Sequence, residues 1–297
     1  MSPPSFQTIN ITLENHIATF VYNNPKANAL SVQLLRELIE ALTWANDSSD
    51  VKVIIVTGGE SKFFTAGLDL TNVPETGPVL PDASIEYLRF ATLVSTPLHI
   101  TRPLWKPPYL EQSKLQANAQ IRQIHTLLIT TPKITIAAVN GTAIGWGTTS
   151  IALFDLVYAT PTAIFATPFL KVGLCAEACS SLTFRLAMGR QKASALLLAG
   201  DQLTAQDLEK AGLVTKIFPK ETFLGDVTVV ARGIAKYPAG ALETNKRLIV
   251  EPMRAELLAA SERECEALRE RGKTDEPRKA IEAFAKEQSE KRKGGKL

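Results

Sequence analysis

A chain of 297 residues with 45% hydrophobic and 21% charged residues has ordinary globular usage, which argues against disorder and against a disulfide-rich mini-fold. Its formal charge of +3 forms no basic stripe among aromatics, so nucleic acid is not an expected partner. Three unevenly spaced cysteines (Cys175, Cys179, Cys265) fit a reducing compartment. The start lacks a basic, apolar leader, and no run approaches the ~18 apolar residues of a membrane span. The expectation is one large domain with an appendage, or two domains, intracellular and without a membrane span.

Residues 8–22 alternate apolar and polar positions around Glu14 and Asn15, which predicts a β-hairpin. Ser31 is placed to cap a helix whose Leu35, Leu38, Ile39 and Leu42 share a face, and the apolar run Val51 to Thr57 predicts a buried strand. Strand, helix, strand implies an α/β core. Residues 74–112 carry seven prolines (Pro74, Pro78, Pro81, Pro97, Pro103, Pro107, Pro108), which predicts an excursion or lid over that core. Helical spacing returns over 116–128, Ile134 to Val139 predicts a second buried strand, and Leu156 to Ala159 a third. From Ser180 onward the pattern reads almost wholly as helix: 181–188, 192–198, 204–210 with a Thr-x-x-Asp capping box, then long amphipathic stretches. The core is therefore assigned to residues 1–200 and a helical region to 201–297.

Two glycine-bearing segments follow strands: residues 64–70 (FTAGLDL) and 140–147 (NGTAIGWG). The second runs into a plausible helix, TTSIALF over 148–154, which would set the Trp146 N–H at a helix N-terminus. Unpaired N–H groups there favour developing negative charge, as in an oxyanion hole. Neither segment has the spacing of a phosphate loop or a dinucleotide fingerprint. Taken alone, such turns are also common structural devices.

These residues nevertheless resemble a known family. The segments PKANAL (25–30), FTAGLDL (64–70), AVNGTAIG (138–145), FDLVYA (154–159) and LTAQDLEKAGLV (203–214) are similar, in order, to the crotonase (enoyl-CoA hydratase/isomerase) superfamily, over about residues 8–285. The resemblance implies an α/β fold, a spiral core of ββα turns followed by a C-terminal helical trimerisation region. The partner calls it carries are an acyl-CoA substrate and assembly as a homotrimer or hexamer. It also implies oxyanion donors at the Ala66 and Trp146 N–H groups and a substrate-binding backbone at Ala66, Gly67, Leu68, Asp69 and Leu70.

Hydratases of the family use two glutamates; the first aligns with Thr149, which cannot act as a carboxylate base. The second position lies in GLCAEACSS (173–181), where Glu177 matches the single catalytic glutamate of peroxisomal-type Δ3,Δ2-enoyl-CoA isomerases. The resemblance thus implies a 1,3-proton shift. Glu177 takes a proton from carbon 2 of a 3-enoyl-CoA and returns it at carbon 4, with no metal or other cofactor. Without the resemblance, Glu177 reads as a glutamate near a helix start, favourable to the dipole and otherwise idle. Two rival readings stay open: a hydratase or secondary-metabolic enzyme of the same superfamily, and a non-catalytic CoA-binding homologue.

Cys175 and Cys179 bracket Glu177 without a histidine or second cysteine pair, so zinc is not expected. His16, His99 and His125 follow no nucleophile elbow, so a hydrolytic triad is not expected either. Asp155, or an acid on the 74–112 excursion, would be the second carboxylate of a dienoyl-CoA isomerase, but no motif supports one. The final Gly295-Lys296-Leu297 is one residue from a Ser-Lys-Leu peroxisomal address, giving a peroxisomal expectation with cytoplasm as the alternative.

Overall fold

The computed structural model describes residues 2–25, 27–67, 120–277, 279–280 and 283. The expected excursion at 74–112, the residues Leu68, Asp69 and Leu70, and the basic end at 291–297 lie outside the described residues.

The expected hairpin is present. β1 (Ile9–Glu14) and β2 (Ile17–Tyr22) pair antiparallel across Asn15 and His16, both at positive φ (50° and 67°). Left-handed residues at both positions of a two-residue turn match the right-handed twist of the flanking strands. The chain then enters α1 (Val32–Asp47), where Ser31 Oγ accepts the Leu34 N–H at 3.2 Å, a side-chain cap for one of the helix's orphan donors. β3 (Val53–Thr57) follows, buried along its whole length, and after a helix over residues 120–130 (α2) comes β5 (Ile134–Val139). With β7 (Leu156–Ala159) and β10 (Lys216–Ile217) these strands form a six-stranded sheet in the order β1-β2-β3-β5-β7-β10, parallel from β2 onward. Continuous apolar runs suit parallel strands that are covered on both faces.

A second sheet, ordered β4-β6-β8-β9, consists of Phe63–Thr65, Thr142–Ile144, Ile164–Ala166 and Gln202–Thr204. β4, β6 and β8 each follow directly on β3, β5 and β7, so these three strands of the first sheet are each answered by a short one in the second. The sequence reading placed no strand at these short segments, because three residues are too few for alternation to register. The pattern after Ser180 reads almost wholly as helix. That is corrected here: β9 and β10 complete the two sheets, so the core continues to Ile217.

The helices divide between the faces of the larger sheet. α4 (Ser180–Leu197) contains Gly189 at φ 76°, ψ 159°, a break that separates the two helices expected there. α5 (Ala205–Lys210) has the full capping box, Thr204 with Asp207. On α6 (Phe223–Ala235) the side chains Phe223, Val227, Ala231 and Ala235 fall every fourth residue and pack against Ile17, Val53, Ile55, Ile136 and Tyr158. The opposite face builds the larger core with α1, α2 and the second sheet.

The long helix α7 (Ala239–Gly272) is fastened to the sheet by a buried charge. Lys246 Nζ donates to Asp155 Oδ2 and to the Lys133 carbonyl, each at 2.7 Å, while Asp155 also accepts the Thr135 N–H at 2.7 Å. Removing one member of such a pair leaves the other charge uncompensated. Lys246→Ala is therefore expected to lower stability by about 2–3 kcal/mol, discounted for the partial exposure of Asp155, as a fall in the urea midpoint at constant slope.

Candidate active site

β4 and β6 are parallel neighbours, so their C-terminal ends deliver the two glycine segments side by side. The approach is close enough to require glycine. Gly67 has φ 76°, and a Cβ there would stand 2.8 Å from the Ile144 carbonyl oxygen; one on Gly147 would stand 2.4 Å from Thr65 Cγ2. Gly145 adopts φ 56°, ψ −121°, a conformation that a side chain disfavours, and turns the chain from β6 into α3 (Trp146–Thr149). A 3₁₀ turn over Ser150–Leu153 continues that helix, as the sequence reading expected of this stretch.

Around the second turn several backbone groups are matched, although the Gly147 N–H has no acceptor among the described residues. The Gly145 N–H donates to the Ala166 carbonyl, and the Gly145 carbonyl accepts the Thr148 and Thr149 N–H groups. The Trp146 N–H, at the first position of α3, has no acceptor among the described residues. It is a free donor where the helix dipole is positive.

The first turn departs from expectation. Ala66 lies beside the second turn as anticipated, but its N–H donates to the Ala27 carbonyl at 3.1 Å, and the Gly67 N–H donates to Thr65 Oγ1 at 3.1 Å. Ala66 is therefore not a free donor, because the PKANAL loop lies against this turn and takes the bond; the Leu30 N–H in return donates to the Gly67 carbonyl. The rest of the expected substrate-binding stretch, Leu68 to Leu70, is outside the described residues.

Glu177 sits between the 3₁₀ turn Leu170–Val172 and α4. It is only 6% exposed, and a Cβ on Gly145 would lie 3.9 Å from its Oε1, so the carboxyl group faces the backbone that leads into the Trp146 N–H. No hydrogen bond reaches this carboxyl group from the described residues. Burial, with the Glu264 charge second, pushes its pKa up to about 8. Thr149 is fully buried, and its Oγ1 donates to the Gly145 carbonyl at 3.2 Å. Asp155, considered as a second acid, is committed to Lys246 and Thr135.

Three further residues border the site and escaped the sequence reading. The Trp146 indole N–H donates to His125 Nε2 at 3.1 Å, and His125 Nδ1 lies 2.9 Å from Ser261 Oγ on α7. Burial pulls the His125 pKa down to about 4, so its ring is neutral. An indole, not a carboxylate, meets the second ring nitrogen, so this pair is no hydrolytic triad. Glu264, also on α7, accepts the Cys179 and Ser181 N–H groups. A lone histidine and one glutamate in a highly charged helix carry no spacing signal that could have marked them. Among the described residues no three His, Cys, Asp or Glu side chains gather as a metal-ligand set, and no helix is long and apolar enough to cross a membrane.

The tight seat of Gly147 gives a test of the paired turns. Gly147→Ala drives a methyl group into Thr65 and is expected to cost about 1–3 kcal/mol, read from the denaturation midpoint.

Comparison with known proteins agrees with this architecture. The family model for enoyl-CoA hydratase/isomerase matches residues 12–91 and 109–294. Human enoyl-CoA delta isomerase 2 is 33% identical over 285 residues, covering 96% of this chain and 64% of its own length. This chain thus spans somewhat under two thirds of that relative. Mouse enoyl-CoA delta isomerase 3, peroxisomal, is 32% identical over 277 residues, covering 93% of this chain and 77% of the relative. The crystal structure of an enoyl-CoA hydratase/isomerase from Pseudoalteromonas atlantica superposes with a TM-score of 0.76 at 26% identity, covering 95% of this chain and 98% of the other. The two stacked sheets and the C-terminal helices are the crotonase fold, and the chain belongs to the enoyl-CoA hydratase/isomerase family.

Proposed function

We propose that this chain is a Δ3,Δ2-enoyl-CoA isomerase that moves the double bond of a 3-enoyl-CoA into conjugation with the thioester. The observation that carries the reading is a buried carboxyl group with no hydrogen-bond partner among the described residues, Glu177, beside an unpaired backbone N–H; the family resemblance puts Thr149, a hydroxyl, where water addition needs a second carboxylate. Two relatives whose names are enoyl-CoA delta isomerase, at 32–33% identity, support the same assignment.

The chemistry follows from the arrangement. Glu177 removes a proton from carbon 2, the electron pair delocalises over carbons 2 to 4 and the thioester oxygen, and the same group returns the proton at carbon 4. The Trp146 N–H is one donor to the developing oxyanion. The expected second donor, the Ala66 N–H, would serve only by releasing the Ala27 carbonyl. A well-placed donor contributes about 3 kcal/mol in a transition state. Substrate and product are isomers, so the proton shift calls for no redox cofactor, and coenzyme A enters as part of the substrate. Within fatty-acid β-oxidation such a step would turn a 3-enoyl ester into the 2-enoyl ester that hydration requires.

Purified protein given 3-hexenoyl-CoA is expected to yield 2-hexenoyl-CoA, and Glu177→Gln to lower kcat/KM about a thousandfold. Hydroxyacyl-CoA as the main product from 2-hexenoyl-CoA would contradict the isomerase in favour of a hydratase. Binding without turnover would favour a CoA-binding homologue.

The base must be unprotonated to act, so kcat/KM is expected to rise with pH, reach half its plateau near pH 8 and level off above it. Stability runs the other way. The folded pKa of Glu177 lies above its unfolded value of 4.5, so its contribution is fully present below pH 4.5 and is lost as pH rises through about 8. Glu177→Gln is therefore expected to match the parent at pH 4 and to exceed it at pH 9 by roughly 2–4 kcal/mol in urea unfolding.

A further inference from the structure

Helix α7 touches both halves of the site through two side chains one turn apart, Ser261 and Glu264. Ser261 reaches Trp146 through His125. The indole nitrogen only donates, so His125 Nε2 accepts from it, and His125 Nδ1 donates to Ser261. Glu264 reaches the segment that carries Glu177: its Oε2 accepts the Cys179 N–H at 2.6 Å and its Oε1 the Ser181 N–H at 2.9 Å. The partners lie 85 and 83 residues away in sequence.

The clamped turn is strained. Directly after Glu177, Ala178 and Cys179 both adopt left-handed backbone, at φ 54° and 62°, where a β-carbon crowds the neighbouring carbonyl. Cys179 is also the N-cap of α4 and makes no side-chain cap hydrogen bond. A carboxylate from another helix therefore does what a local serine or aspartate ordinarily does, and it does so where the backbone most needs an external tie.

We propose that Glu264 is a positioning residue for the reaction: its carboxylate clamps the left-handed turn that presents Glu177, and its negative charge keeps that neighbour a stronger base. The inference rests on Glu177 being the base. Both Glu264 oxygens accept N–H groups, the arrangement of an ionised carboxylate. The other ionisable groups in electrostatic contact with this pair are the thiols of Cys175, Cys179 and Cys265 and the guanidinium group of Arg263. Burial pushes the three thiols up to about 11, 12 and 11, which leaves them neutral near pH 8. Among the described residues, Glu264 is the charge that acts on Glu177.

Glu264→Gln keeps the side chain's shape, removes the charge and leaves one of the two N–H groups without an acceptor. Titration of Glu177 by carbon NMR in carboxyl-labelled protein, assigned by the signal lost in Glu177→Gln, is expected to show its midpoint about one pH unit lower. The acid limb of kcat/KM should move with it, kcat should fall about tenfold, and KM should stay within about twofold. A variant with lower melting temperature but the parent's midpoint, acid limb and kcat would overturn the proposal, since a purely structural cap predicts that result. Should Glu264→Gln fail to fold, Glu264→Asp keeps the charge on a shorter arm. Lower kcat at an unchanged midpoint supports the clamp, and unchanged kcat overturns it. Isomerase activity that survives Glu177→Gln would remove the base assignment itself. Activity that depends on Glu177 yet ignores Glu264 would remove only the clamp.

Discussion

The site depends on keeping one carboxyl group out of water beside a backbone N–H that has no partner. Raising the Glu177 pKa from 4.5 to about 8 corresponds to about 5 kcal/mol of penalty on its ionised form. That penalty is what makes a carboxylate a competent base towards a carbon acid, because a proton is then held more tightly than at an exposed glutamate. The unpaired Trp146 N–H is the complementary cost: a donor left unsatisfied in the resting protein and aimed where negative charge would develop. Both costs sit at one place, and the surrounding fold is arranged to bear them.

It does so by layering. β3, β5 and β7 of the first sheet are each followed by a short strand of the second, and the ends of β4 and β6 place two backbone turns in contact without side chains between them. Gly67 against Ile144 and Gly147 against Thr65 set that spacing; a methyl group at either position would push the turns apart. From the other direction α7, fixed to the sheet by Lys246 and Asp155, carries Ser261 and Glu264 to the far side of the same site. The Trp146 turn and the Glu177 turn are thus tied to one helix.

Much of this was legible in the sequence where a residue type has one physical use. Ser31 and Thr204 announced helix starts, the apolar runs at 53–57 and 134–139 announced buried strands, and Glu177 and Thr149 were picked out by family resemblance. Short strands were not legible, because β4, β6 and β8 have three residues each and are defined by their neighbours rather than by any period of their own. Ala66 shows a different limit: its position was readable, whereas the loss of its N–H to Ala27 depends on a loop forty residues upstream. Glu264 shows a third. One carboxylate in a helix rich in Glu and Arg has no local signature, and its role exists only once the chain brings residues 177–181 and 264 together.

The central claim is that one buried carboxyl group carries the proton from carbon 2 to carbon 4. The most direct measurement uses 3-hexenoyl-CoA dideuterated at carbon 2, converted in ordinary water, with the position of label in the 2-hexenoyl-CoA product determined by NMR and mass spectrometry. A single sequestered base predicts that part of the label arrives at carbon 4 and that both the transfer and the turnover are lost in Glu177→Gln. Turnover that persists in Glu177→Gln, with carbon 4 protonated wholly from solvent, would contradict it.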